Sequence, residues 1–352
     1  MIGLTGKSVK MAFAKYATNS WNVPASVTMG VFFSSDGGLK LQPKMVEDDA
    51  FGQSFLGQPE VGDYEPPDLV LSAQARYDDN LFIFDALAMG SPNAVTISSS
   101  VGSQVTSWKH VIDLADVIDG LGITLAQDKL YFVEELTSAK VYGFEEGDGD
   151  GGRILTSYKV LGTRPTVTSS VNINSTIGGA VFLAQTNRIF RKHATFRMNP
   201  QVGTSLVPAS GVKYETLKLA LARVMDKPSV SGQEVIDEPA DNGFLGISVD
   251  VTYPRMNTVT ANSLYIGLQA SQAWKGDLTF KGANINSADQ YMKLYEFPCL
   301  ILTAFDAAQA GAAQVKPKAT FKAYLAATTP TNMTFLRPMR LTRIMTNSLI
   351  AF

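Results

Sequence analysis

His110, His193 and Cys299 are the side chains of this chain best suited to nucleophilic or metal chemistry. They stand far apart in sequence, and no Cys-x-x-Cys or paired-histidine spacing gathers a zinc ligand set. Serines and aspartates are plentiful, but no spacing joins one of each to a histidine as a triad. The run Glu47-Asp48-Asp49 offers three carboxylates, which at consecutive positions suit a solvated or interfacial patch better than a general acid–base pair. In EEGDGDGG (145–152), Asp148 and Asp150 alternate as in a calcium loop, yet the glutamate that closes such a loop is missing at its later spacing. That segment reads as a solvated acidic turn. No phosphate loop or dinucleotide fingerprint sits in a strand–turn–helix setting. These residues point away from an enzyme, and no catalytic residue, cofactor or metal ligand is assigned.

Binding chemistry is also thin. Trp21, Trp108 and Trp274 would form a carbohydrate platform only if two of them shared an exposed groove. RIFRKHATFRMNP (188–200) sets Arg188, Arg191, Lys192, His193 and Arg197 among Ile189, Phe190, Phe196 and Met198. Cations beside aromatics suit a nucleic acid, but a strand with a basic outer face is the simpler reading. The apolar flanks of Cys299 predict a buried thiol, and a single cysteine excludes an internal disulfide.

At 352 residues the chain is long enough for two domains. No apolar run reaches the length of a membrane helix, and MIGLTGKSVKMAFAKY lacks the apolar core and cleavage pattern of a secretory signal. The net charge of −2 gives no global case for nucleic-acid binding. Charge is unevenly divided, however. Residues 1–176 carry 21 acidic and 12 basic side chains, net −9, and residues 177–352 carry 11 and 18, net +7. This is either ordinary surface variation or a subunit with complementary faces that add copies in one orientation.

The elements that must position any functional group are strands. In FLGISVDVTY (244–253), Leu245, Ile247, Val249, Val251 and Tyr253 alternate with Gly246, Ser248, Asp250 and Thr252, which predicts one buried and one wet face. YETLKLALARV (214–224) does the same through Leu217, Leu219 and Leu221. Between them SGQEVIDEPADNG (231–243), with Pro239, Glu234, Asp237 and Glu238, reads as a long polar arm. A second arm, 42–67, is rich in Gly, Pro and acid yet carries Phe51, Phe55 and Tyr64, which a flexible linker would not need. Both exceed the usual connection length, which favours a function for them.

Elsewhere the pattern predicts strands at 27–33 and 68–77, then a helix over 80–89 capped by Asp79 or Asn80 and stopped by Gly90. KLYFVEEL, AKVYGFEE and GRILTSYKVLG read as successive strands. A second helix is expected around 263–273, followed by strands in 289–305 and 316–327, and TRIMTNSLI reads as a closing strand at an edge or interface. Residues 27–90 and 214–274 share the order strand, acidic arm, alternating strand, short helix. The expected fold is therefore mainly β, with two similar sandwich or barrel domains, each with a short flanking helix and a long arm. The first covers 1–175 with arm 42–67, a bridge covers 176–210, and the second covers 211–352 with arm 231–243.

Three passages resemble the tail tube proteins of long-tailed, siphovirus-like bacteriophages of the two-domain type. They are EDDAFGQSFLGQPEVGDYEPPDLVLSAQARYDDNLFIFDALAMGSP (47–92), SAKVYGFEEGDGDGGRILTSYKVLG (138–162), and 209–226 with 231–255. The resemblance implies a non-catalytic virion subunit that forms rings, trimeric if each chain supplies two domains, stacked into a tube through which DNA passes without stable binding. It further implies a tape measure protein and a tail terminator as partners, assembly in the host bacterial cytoplasm, residence in the virion tail, and no stable membrane association. On this resemblance Glu47, Asp48, Asp49, Phe51, Phe55, Tyr64, Glu234, Asp237 and Glu238 belong to arms that touch neighbouring subunits. Another β-rich tail or baseplate component is the nearest alternative, and a non-catalytic carbohydrate- or ligand-binding β module is an alternative of a different class.

Overall fold

Period-two patterning governs most of the sequence, and most of the fold is strand. A computed structural model describes residues 10–16, 21–34, 39, 43–46, 60–64, 66–90, 94–101, 104–184, 186–231, 235–255, 258–307 and 315–348, by backbone alone at 43–46, 60–64, 94–95 and 258–262. In chain order the strands begin with β1 (Lys10–Lys15), β2 (Met29–Val31), β3 (Pro43–Val46), β4 (Glu60–Tyr64), β5 (Asp68–Gln74), β6 (Ala94–Val101) and β7 (Gln104–Asp113). They continue with β8 (Ile123–Asp128), β9 (Val133–Asp148), β10 (Ile154–Gly162), β11 (Pro165–Thr166), β12 (Val181–Phe182), β13 (Ala194–Pro200) and β14 (Gly211–Val212). The last are β15 (Thr216–Ala222), β16 (Gly246–Thr252), β17 (Ala273–Asn284), β18 (Gln290–Asp306), β19 (Lys318–Ala323) and β20 (Arg340–Met345). The helices are α1 (Phe82–Met89), α2 (Asn174–Gly179) and α3 (Thr258–Gln269).

The mainly β expectation holds. Among the described residues, all strands but the β3–β4 hairpin join one ladder. Two separate sandwiches or barrels are not delineated. β15 is hydrogen bonded to β9, and β20 to β7, so the sheet runs across the middle of the chain. One apolar cluster likewise runs from Met11 and Phe13 to Leu341 and Met345.

Within this ladder a pairing scheme occurs twice. β1 pairs with β8, β8 with β9, β9 with β10, and β10 with β5. In the same order β13 pairs with β17, β17 with β18, β18 with β19, and β19 with β16. The irregularities coincide as well. The β8–β9 ladder shifts between Ile123 and Leu125, and the β17–β18 ladder between Trp274 and Gly276. β9–β10 shifts beside Lys159/Val160, and β18–β19 beside Leu302/Ala304. Ser34 N donates to Ser72 O at 2.6 Å, and Glu215 N donates to Thr252 O at 2.7 Å. β5 leads into α1 as β16 leads into α3.

Several local expectations are met. Leu217, Leu219 and Leu221 are buried on β15, as are Ile247, Val249 and Val251 on β16, and the two strands pair antiparallel. α1 ends at Gly90, whose φ of 73° lies in the left-handed region that glycine adopts without strain.

Other expectations are corrected. Neither Asp79 nor Asn80 caps α1 through its side chain. The Asn80 amide instead donates to Gly30 O and Val181 O, at 2.9 and 3.0 Å, and so ties the helix start to β2 and β12. VEEL and AKVYGFEE form the single strand β9, because no turn residue separates them. The preceding Leu130, at φ 70°, makes the hairpin turn instead. α3 occupies 258–269 rather than 263–273, since Ala273 and Trp274 are claimed by β17. The closing strand β20 lies inside the ladder, between β18 and β7.

Candidate functional site: open strand edges and arms

The repeated register exposes an asymmetry. Residues 143–147 of β9 pair with β15, and Gly143 and Phe144 are buried there. By the common bulge and register, Ala304 and Phe305 of β18 occupy the corresponding positions. Among the described residues no strand pairs with that edge of 303–305, and Thr303 and Ala304 are exposed. At the other end, β16 is flanked by β19 and β15, whereas among the described residues β5 has β10 on one edge and only Ser34 on the other, whose N–H and hydroxyl both donate to Ser72 O. Ser72 directs its carbonyl outward to Ser34, so by the alternation of an antiparallel strand Val70 also points its N–H and C=O outward. Val70 is 58% exposed.

The face of this sheet away from the core is polar and of mixed sign. Glu145, Lys159, Lys218, Asp250, Lys318 and Lys322 project from it. Glu145 neutralises part of the lysine charge, through Lys218 at 2.7 Å and Lys159 at 3.8 Å.

The first arm is described only in part. Glu47, Asp48, Asp49, Phe51 and Phe55 lie outside the described residues, while Tyr64 ends β4 opposite Pro43. Glu234 of the second arm also lies outside them. From 235 onward the second arm packs on the first half of its own chain. Trp21 Nε1 donates to Ile236 O at 3.1 Å. Glu238 accepts from Gly120 N at 2.8 Å and pairs at 2.8 Å with Lys140, which is wholly buried. Burial and Glu238 together push the Tyr16 phenol up. Asp237 donates its backbone N–H to Pro228 O and holds the bend. Arg223, at the arm's root, reaches Ala88 O, Met89 O, Ala115 O and Asp116 O. Sequence reading missed Lys140 and Arg223. Their signal was a charge set within an otherwise apolar strand run.

A second feature missed in sequence is a buried ionic hub between the halves. Asp85 of α1 sits 3.3 Å from Lys293 of β18 and 3.4 Å from Arg343 of β20. Lys293 also pairs with Glu146 of β9, and Tyr158 and Tyr295 donate to Asp85 and Glu146 at 2.9 and 3.2 Å. Asp79 stands 3.6 Å from Arg343. Burial pushes the Asp79 carboxyl up to about 6, against the opposing pull of Arg343. A raised carboxyl pKa means that the folded chain holds the proton more tightly than the unfolded one. Stability from this group therefore falls as pH rises from about 4 to 6. Asp79→Asn should remove that slope, gaining at most about 3 kcal/mol over wild type at pH 7 and nothing near pH 4. Urea unfolding at both pH values measures the difference, and equal pH slopes for the two proteins would show that Asp79 titrates normally.

The remaining chemistry is dispersed. Among the described residues no three His, Cys, Asp or Glu side chains are grouped to hold a metal ion. Asp148 accepts from Leu217 N at 3.0 Å, so the acidic turn is joined to β15. Cys299 is buried, and burial pushes its thiol up. His110 Nε2 lies 2.8 Å from Asn347 O, while His193 Nδ1 lies 3.2 Å from Tyr77 OH. Trp274 packs on Phe321, Trp21 on Tyr16, and Trp108 stands on β7 opposite Met345, so the three indoles have different neighbours. Arg197, read as part of a basic outer face, is instead forked to Asp277, with Nε–Oδ1 at 2.9 Å. Comparison with protein-family models found no match, and comparison with curated proteins found none.

Proposed function

We propose that this protein is a structural subunit that joins to copies of itself edge to edge, forming rings that stack into a tube of the kind long-tailed phages build. The observation that carries the reading is the β15–β9 junction inside the chain: among the described residues no strand pairs with the outer edge of β5 or with 303–305 of β18, its counterparts at the two ends. Along the ladder the order is β5, β10, β9, β15, β16, β19, β18. A head-to-tail contact between such ends is heterologous, and it closes into a ring when the rotation per subunit divides a full turn. On this reading the halves, 1–175 and 211–352, are two copies of one tube domain joined by 176–210, and three chains give a six-domain ring. The unequal charge of the halves gives the stacked rings a polarity. The tube would stand in the virion tail after assembly in the host cytoplasm, with a tape measure protein inside it, a terminator at its end and DNA in transit.

Val70→Pro tests the edge. Proline there removes an outward N–H and spares the β5–β10 ladder, so the monomer should melt within a few degrees of wild type. Light scattering and negative-stain imaging across a concentration series should then show rings or tubes for wild type and monomers for the variant. A wild type that stays monomeric at high concentration would sink the tube reading. A Val70→Pro protein that assembles like wild type would remove β5 from the contact.

A further inference from the structure

Two clefts adjoin beside β13 and β14, and their walls carry cations without acids. The first, of about 480 Å³, is walled by Gly151, Gly152, Phe190 and Tyr214, with Arg191, Lys192 and Lys213 as its charged groups. The second, of about 590 Å³, is walled by Met198, Tyr253, Leu264 and Trp274, with Lys213 and Arg255 as its charged groups. Val212 and Lys213 belong to both walls, so the two spaces meet there. Strand β13 runs along both, with Ala194 on the first and Met198 and Pro200 on the second. At the strand rise these residues stand about 13–20 Å apart. Each volume falls within the roughly 300–1,000 Å³ of small-ligand sites.

The sign of the charge sets these clefts apart. Among the described residues no carboxylate lines either one. A third cleft, on the polar sheet face, has Lys218 and Lys318 among Glu145, Asp148 and Asp250. Lys213 and Arg255 have no ion pair among the described residues, and Lys192 has only the Phe190 ring, 5.7 Å from its Nζ. Arg191 donates to a backbone oxygen, Glu215 O, at 2.9 Å. The acids close by in sequence are engaged or outside the walls. Glu215 pairs with Lys316 at 2.6 Å, Asp148 accepts from Leu217 N at 3.0 Å, and Asp150 is exposed. The basic run 188–200 is thus divided by the fold: Arg197 goes to Asp277, while Arg191 and Lys192 join Lys213. Tyr214 and Tyr253 add neutral donors, since burial pushes both phenols up to about 12 and neither hydroxyl has a hydrogen-bond partner among the described residues.

We propose that the joined clefts bind a nucleoside polyphosphate, its ring against Tyr253 and Trp274 and its phosphates running over Lys213 to Arg191 and Lys192. The walls select this class. The second cleft is floored by side chains almost wholly buried, 5% exposed for Tyr253 and 6% for Trp274, which suits a flat ring with polar edges. Three cations without counter-charges call for an anion of several charges. The distance from one cleft to the other calls for a chain of phosphates, because a single phosphate meets the cations at one end and leaves the apolar floor bare. Beside Arg191, a Cβ on Gly151 or Gly152 would meet nothing within 4 Å, so phosphate oxygens have room against that turn. With no carboxylate in either wall to hold magnesium, the free anion is the form bound. The inference is independent of the tube reading, since a monomer contains both clefts.

Calorimetric titration of the full chain with adenosine triphosphate in EDTA is the test. Micromolar binding is expected, about tenfold weaker for tripolyphosphate, absent for adenosine, and weakened severalfold when magnesium replaces EDTA. Lys192→Glu with Lys213→Glu alters two exposed side chains that have no ion pair, so melting should match wild type while affinity falls about tenfold or more. Lys322→Glu, on the polar sheet face, should leave affinity unchanged. Tyr253→Phe removes only a hydroxyl and should weaken adenosine triphosphate but not tripolyphosphate. The ligand series on wild type decides the matter even if a variant unfolds. No binding at millimolar adenosine triphosphate, equal affinity for tripolyphosphate, or unchanged affinity in a folded Lys192/Lys213 variant would overturn the proposal. A far tighter complex with single-stranded oligothymidylate, lost in the same variant, would assign the clefts to nucleic acid and overturn the small-ligand class.

Discussion

Lys293→Met should cost about 3–5 kcal/mol at pH 7, a large share of the 5–15 kcal/mol that holds an ordinary domain folded. The side chain lies between Asp85 and Glu146, all three are almost wholly buried, and Arg343 is the next cation within reach. Removing the ammonium leaves two carboxylates facing each other out of water, and only Asp85 retains a cationic partner. The penalty should shrink in the double variant Lys293→Met/Glu146→Gln, which withdraws one charge of each sign. Urea unfolding of the three proteins at pH 7 gives these differences directly. A loss below about 1 kcal/mol would mean that water enters the hub and screens it. Asp85 and Glu146 come from the first half of the chain and Lys293 and Arg343 from the second, so the same variant should also loosen the mutual orientation of the halves.

Arg223→Met should cost about 2–4 kcal/mol and free the second arm. The guanidinium is 4% exposed and donates to Ala88 O and Met89 O at 3.2 and 3.3 Å, and to Ala115 O and Asp116 O at 2.7 and 2.9 Å. It also pairs with Asp241 at 3.3 Å. Ala88 and Met89 are the last residues of α1, whose terminal carbonyls have no partner within the helix. One fork of donors therefore closes the helix end, fixes the 115–116 turn and anchors the arm. Lysine cannot reproduce that fork, so Arg223→Lys should recover little of the loss. Limited proteolysis should reveal cleavage within 228–240 in both variants at protease levels that leave wild type intact. Protection equal to wild type would show that Ile236, Glu238 and Asp241 hold the arm without Arg223.

The sequence alone determined the strands and their buried faces, because period two is a local property that side-chain burial must obey. Leu217–Leu219–Leu221 and Ile247–Val249–Val251 lie inward as their alternation requires, and Gly90 ends α1 because glycine accepts a left-handed φ freely. The order strand, arm, strand, helix was legible twice for the same reason. Which strands pair was not, since register links residues far apart and leaves no local mark. Only the tertiary structure gave the two halves matching bulges and joined β15 to β9. It also placed 235–243 of an expected neighbour-contact arm on the chain's own first half. The charges were hidden most deeply. Nothing in the strand pattern around Lys140, Arg223, Lys293 and Arg343 marks them as buried, and their burial is tolerable because Glu238, Asp241, Asp85 and Glu146 arrive from other parts of the chain to meet them.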